Sequence, residues 1–248
     1  MNFLVDFWNQ METSSGPYVH PEDDLPARRI HEPIRSMSEY AEAFRADRLD
    51  DGKFHTTLLP KPYSGDLDNA EILILLLNPG LGPTDFKAEC EYPEYRSEMM
   101  GTLRQTHKQH VCLDPKWAWT EGFAWWEQKF RRLAQEVAKR NPALSYFAAL
   151  ELIAHKVAWL ELVPYHSRSF AGGFNLRSSE VAKDFVHSEL KKRDRLIVVT
   201  RSVTAWGFAE GDSSSNLVLY PSRQARGASI GPGTPGGDAI LRRIFGYK

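Results

Sequence analysis

The sequence predicts an α/β fold of three layers, with a central, mostly parallel four-stranded sheet between helices. Three observations carry this. The run Ile72-Leu73-Ile74-Leu75-Leu76-Leu77 is the most apolar stretch of the chain and stops abruptly at Asn78-Pro79-Gly80, as a strand covered on both faces does. Three more short apolar runs follow, at 156–163, 195–200 and 216–220. Helical patterns separate them, and strands alternating with helices imply parallel pairing with right-handed crossovers.

Residues 1–11 contain a short helix, and the Ser-, Gly- and Pro-rich stretch through Pro26 reads as loop. Residues 36–49 are helical: Ser36 or Ser38 caps them, and Tyr40, Ala43, Phe44 and Leu49 supply the apolar face. A Pro-rich approach at 58–65 leads to the first strand at 71–77. The connection at 79–120 is long for a compact domain, so it is expected to be functional or to contain its own helices, one at 94–109. Residues 122–139 are helical because Trp126, Phe130, Leu133 and Val137 recur at three- and four-residue steps. A helix at 143–154 precedes the second strand. Ser178 or Ser179 caps a helix running to Lys192, and 203–209 form a short helix after the third strand. A Gly- and Pro-rich segment at 227–237 leads to a last helix from Asp238 to about residue 245. The whole is read as one α/β domain over 1–248, with 1–57 as an N-terminal helical and loop extension packed on it.

The chain has 248 residues, 42% hydrophobic and 25% charged, enough to bury a full core without staples. Cys90 and Cys112 have neither metal spacing nor a disulfide framework, so a reducing cytoplasm is the expected compartment. No signal peptide is apparent, and the longest apolar run is too short to span a membrane. The net charge of −1 hides an asymmetry: residues 1–50 carry five basic and ten acidic side chains, whereas residues 191–248 carry ten basic and four acidic. The basic C-terminal quarter is a candidate phosphate-facing surface. Overall neutrality argues against a high-affinity nucleic-acid coat protein.

Three strands finish in polar or turn chemistry: Asn78-Pro79-Gly80, Glu161 to His166, and Tyr220-Pro221-Ser222. In a parallel sheet these ends share one edge, where ligands of such folds bind. Leu76-Leu77-Asn78-Pro79-Gly80-Leu81 and Tyr220-Pro221-Ser222-Arg223-Gln224-Ala225-Arg226-Gly227, in this order and each after a strand, resemble the two motifs of the uracil-DNA glycosylase superfamily. The branch they resemble most is that of the mismatch-specific uracil/thymine glycosylases. The resemblance implies that fold over about three quarters of the chain and excision of a deaminated or damaged base from DNA, without metal or other cofactor and without an obligate protein partner. It also implies roles. Asn78 positions the attacking water, and Pro79 and Gly80 shape the base pocket. Pro221 and Ser222, with Arg223 beside them, grip the DNA backbone, and Arg226 fills the stack left by the flipped base.

The chain departs from the family at Leu76, where glycine is usual, at Glu161, where many members read the base with asparagine, and at Tyr220, where many have His or Asn. These departures motivate two other readings: a non-catalytic nucleic-acid-binding relative, and an enzyme acting on a nucleoside or nucleotide with Glu161 as base or hydroxyl acceptor. His166, titrating near neutrality, is a candidate contact for phosphate or leaving group. Phe86, Tyr92 and Tyr95 are candidates to stack on a base, and Asp85 is a candidate water activator. The tryptophans at 117, 119, 125 and 126 read first as core and helix-packing residues. His107 and His110 have the spacing of a metal pair but lack a third ligand in pattern, and are read as solvent-exposed.

Overall fold

A computed structural model describes residues 2–49, 52–170, 172, 175–221, 223, 227 and 229–246. It is an α/β structure built on a five-stranded sheet. The strands are β1 (Tyr63–Ser64), β2 (Ile72–Leu76), β3 (Val157–Glu161), β4 (Leu196–Val199) and β5 (Leu217–Leu219), in the spatial order β1-β3-β2-β4-β5. β2 through β5 are parallel, and β1 is antiparallel to β3. The four expected strands are present. The fifth, only two residues long, hides in the Pro-rich approach.

β2 is the centre of the sheet, paired with β3 on one side and β4 on the other. Its alternate residues divide the core. Leu73 and Leu75 belong to one apolar cluster, and Ile72, Ile74 and Leu76 to another. The first cluster is closed by α1 (Phe3–Trp8), α4 (Pro93–Leu103) and α7 (Arg177–Lys192) through Leu4, Tyr95 and Phe185. The second is closed by α5 (Glu121–Arg140), α6 (Tyr146–Lys156) and α8 (Pro235–Phe245) through Phe130, Ile153 and Ile240. Both faces of the sheet are thus covered, which is why its strands carry no polar face. A third cluster joins α2 (Met37–Arg45) to α3 (Pro83–Glu91), and Phe86 sits within it.

Several expectations are corrected. α3 lies in the long 79–120 connection, where the sequence marks only 94–109 as helical. Pro83 occupies its first turn and Asp85 faces its positive end, both favourable there. Residues 203–207 form turns where a helix over 203–209 was expected, with Gly207 at φ 84°. Neither Ser178 nor Ser179 caps α7. Asp23, 155 residues earlier, accepts the Ser178 N–H (2.8 Å) with one oxygen and the Tyr165 hydroxyl (2.5 Å) with the other. Asp23→Ala would strand both donors in a buried place. It is expected to cost about 2–4 kcal/mol, at roughly 1–2 per orphaned group, measurable as a lower urea midpoint with unchanged slope.

His110 is buried, not exposed as the sequence suggested: its ring stacks on Trp159 at 3.8 Å between centroids. Gly65 permits this. It adopts φ 89°, and a Cβ there would stand 2.5 Å from the His110 ring. Among the described residues no group of three His, Cys, Asp or Glu side chains could hold a metal, and no helix is long and apolar enough to cross a membrane.

Candidate active site

Where β2 ends, its backbone is held from both sides. The Trp206 indole N–H donates to the Leu76 carbonyl (2.8 Å), the Thr200 hydroxyl to the Leu75 carbonyl (2.9 Å), and the Val163 N–H to the Leu77 carbonyl (2.8 Å). The chain leaves β2 for β3 on one side and later crosses to β4 on the other. This reversal makes the carboxyl end of β2 the topological switch point, where open α/β sheets bind ligands. A cleft of about 530 Å³ lies there, lined among others by Leu76, Asn78, Pro79, Gly80, Glu161, His166 and Arg201.

Asn78 is half-buried. Its amide nitrogen donates to the Ser167 hydroxyl (2.9 Å) and the Pro79 carbonyl (3.1 Å), and Ser167 Oγ donates onward to the Ser169 carbonyl (2.8 Å). This chain fixes the orientation of the carboxamide. Its oxygen accepts no hydrogen bond from the described residues and remains available to a water or ligand.

His166 lines the cleft, but its ring is engaged elsewhere. Nδ1 lies 2.7 Å from the Gly80 carbonyl and Nε2 3.2 Å from the Leu59 carbonyl. Burial, helped by the Lys61 charge, pulls its pKa down to about 3. A neutral ring donates to one carbonyl, and Gly80 is the nearer. His166 therefore clamps the Asn78-Pro79-Gly80 turn, and the expectation that it contacts phosphate or a leaving group is corrected.

Glu161 closes β3 directly across from Leu76 in the register. It is 8% exposed, and its Oε2 is buried with no hydrogen-bond partner. Burial pushes its carboxyl well above the usual carboxylate range, against the pull of Arg201 and Lys61. The neutral acid is thereby favoured, and a neutral carboxyl both donates and accepts.

The aromatic wall comes from residues not expected in the site. Trp126 and Trp159 stack at 3.7 Å, extending the His110–Trp159 stack, and Trp125 stands beside them at the cleft. Trp126 is thus both core and wall. The sequence reading also missed Lys61 and Arg201. Lys61 belongs to no strand end and had no pattern to mark it. Arg201 follows β4, the neighbour of β2, and adjacency in the sheet is not written in chain order.

Several expected residues are absent from the cleft lining. Phe86 is fully buried, packed on Tyr40 at 4.8 Å in the third cluster. Tyr220 is buried at the end of the edge strand β5. Its hydroxyl donates to the Ser229 carbonyl (2.6 Å) and accepts the Gly236 N–H (3.2 Å). Both are structural, and so is Tyr95, which is buried beneath α4. Tyr92 packs against Trp117 and Trp119. Asp85 reaches the cleft, but its Oδ1 accepts the Gly122 N–H (2.9 Å) at the start of α5. Pro221 is half-buried and Arg223 exposed, neither lining the cleft, while Ser222 and Arg226 lie outside the described residues.

No family model matches the chain, and neither a curated protein nor a solved structure matches it.

Proposed function

We propose that the chain is a divergent protein of the three-layer uracil-DNA glycosylase-like fold that hydrolyses the bond between sugar and base at a deaminated or damaged nucleotide in DNA. The observation that carries this reading is the oriented Asn78 carboxamide, its oxygen unpartnered in a cleft that also holds Glu161 and a tryptophan wall. Such a site suits a flipped base. The ring packs against the partly exposed Trp125, a neutral carboxyl meets the donor and acceptor of a lactam edge, and a water bound to Asn78 lies near the sugar.

In this mechanism the sugar–base bond breaks with both electrons leaving on the base, and the water oxygen bonds to the sugar carbon. An amide is a poor base, so Asn78 orients the water without deprotonating it. The proton leaves to solvent after the cationic character of the sugar has developed. Flipping costs a few kcal/mol of stacking and pairing, and contact with Trp125 at the cleft offsets part of it.

A nucleoside-directed enzyme in the same cleft is the second reading, favoured by the enclosed, unpartnered Glu161 carboxyl. One experiment separates the two. Purified protein is incubated with oligonucleotides carrying uracil, thymine mismatches or other lesions, and in parallel with the corresponding free nucleosides. Abasic sites in the oligonucleotides are the expected product. Cleavage of nucleosides alone supports the second reading, and salt-dependent DNA binding without cleavage supports a non-catalytic relative.

A further inference from the structure

We propose that a second hollow, between α6 and the segment 108–115, binds a small organic cation with a flat apolar body. It is separate from the cleft and independent of the base-excision reading. Its volume is about 610 Å³, the size of a small-molecule site. It lies towards the other end of β3. His110, which lines it, bonds to the carbonyl of Val157, the first residue of that strand, whereas the cleft gathers around Glu161, the last.

The hollow originates in α6, which is apolar over more of its circumference than the core covers. Ala149, Leu150 and Ile153 are buried in the second cluster. Phe147, Leu150, Glu151, Ala154 and His155 recur at three- and four-residue steps and form one wall of the hollow. Leu113 and Pro115 belong to the facing segment. Phe147 is 57% exposed and belongs to none of the three apolar clusters. Among the described residues its ring meets only that of Tyr146, its neighbour in the chain. A large ring left in water beside a hollow is a surface for a ligand to cover. The His110 ring asks for no polar partner, since both of its nitrogens are matched within the protein.

Charge selects the ligand. The ionisable groups of the lining are Asp66, Lys108, His110, Asp114, Glu151 and His155. Lys108 is already matched twice, by Asp66 (3.1 Å) and by Asp68 (3.0 Å). Asp114 accepts the Lys116 N–H (2.8 Å) with one oxygen, and its other oxygen accepts nothing from the described residues. Glu151 has only the exposed His155, 3.7 Å away. With its one lysine satisfied, the hollow keeps two carboxylates that no lysine or arginine among the described residues neutralises. An ammonium gains from these carboxylates and from the face of Phe147, while the apolar body covers Leu113, Leu150 and Ala154. A phosphate or carboxylate ligand would meet like charge.

The test is titration calorimetry with probes that share a naphthalene body and differ in charge: 1-naphthylmethylamine, 1-naphthylmethanol and 1-naphthoate. At neutral pH and low salt the ammonium should bind about tenfold more tightly than the alcohol, the sum of two partly exposed charge pairs and one ring face. The carboxylate should bind least, and the gap should narrow as salt rises. The double variant Asp114→Asn/Glu151→Gln should bring the ammonium down to the affinity of the alcohol and leave the alcohol unchanged. Asparagine keeps an oxygen for the Lys116 N–H, so this variant should melt within about 3 °C of the parent. Ala148→Trp, which fills the hollow from its α6 wall, should abolish binding of both probes. An ammonium that binds no better than the alcohol, or shows no saturable binding up to about 1 mM, would overturn the proposal. So would a preference that survives the double variant, or binding unchanged in Ala148→Trp, which would place the probe elsewhere. A dimer in sedimentation that Phe147→Ala dissociates would give the hollow to a second copy of the chain and overturn it too.

Discussion

Asn78→Ala is expected to slow base excision about a hundredfold or more, the usual consequence of losing the group that holds a reactant in line. The effect belongs to the rate of cleavage, not to substrate affinity. The side chain touches the protein only through its nitrogen, to Ser167 Oγ and the Pro79 carbonyl, and its oxygen is left for water. Stability should fall by about 1 kcal/mol, the worth of one such partly exposed hydrogen bond. Asn78→Asp separates orientation from amide chemistry. It keeps the acceptor oxygen, and the Ser167 hydroxyl can reverse to donate to it, so activity should exceed that of Ala and rise with pH as the carboxylate forms. Ser167→Ala leaves the amide in place but loosens it, and should cost about tenfold by the same argument. Single-turnover rates with a uracil-containing oligonucleotide check all three. Equal rates for Asn78→Ala and the parent would remove Asn78 from the chemistry.

How much of this was legible in the sequence depends on whether the signal was local. The run Ile72 to Leu77 announces a strand buried on both faces, and the spacing of Trp126, Phe130, Leu133 and Val137 announces the buried face of α5. Both appear as expected because each pattern lies within one element. β1 escaped because two residues cannot show a period. Tyr63 and Ser64 become a strand only by pairing with Leu160 and Trp159. The capping of α7 escaped because its acceptor, Asp23, is brought in by the tertiary fold, and the local serines made a tempting substitute.

The site divides along the same line. Asn78, Pro79, Gly80, Glu161 and His166 follow strands whose ends a parallel sheet gathers on one edge, and the cleft contains them all. Tyr220 also follows a parallel strand, but β5 is at the sheet's margin, so its side chain packs under the loop at 229–236 instead. Arg201, after the inner strand β4, takes the place the sequence assigned to Tyr220. Strand order in space decides which ends share a crevice, and crossover direction sets that order. Phe86 was misplaced for a related reason: the motif that precedes it turns away from the cleft at Gly82 and feeds α3 into the third cluster.

Acid should weaken the fold through His110, as it does through His166, whose burial lowers its pKa equally to about 3. The neutral His110 ring is fully matched, with Nε2–H donating to the Val157 carbonyl (2.6 Å) and Nδ1 accepting from Ser64 Oγ (3.0 Å). Burial, opposed by the Val157 carbonyl, lowers its pKa to about 3 from 6.5. The folded pKa is below the unfolded one, so the unfolded chain binds the extra proton. The stabilisation is complete above 6.5 and is lost as pH falls towards 3. Between pH 7 and pH 4 this amounts to about 3 kcal/mol, at 1.36 per unit. Glu89 works in the opposite sense. Burial raises its pKa to about 6 from 4.5, so the folded state holds the proton first and acidification through that window returns about 2 kcal/mol. His166 adds a loss of the same sense and Glu161, raised by burial, a gain of the opposite one, so a single curve would not isolate His110. His110→Phe does. It keeps a ring against Trp159 but strands Ser64 and the Val157 carbonyl, at a cost of about 2–3 kcal/mol near neutrality. Its stability should then fall less with acid than the parent's, and the two urea-derived curves should converge near pH 4. Parallel curves from pH 7 to pH 4 would mean that His110 does not titrate with unfolding, and that the ring is already charged in the native core.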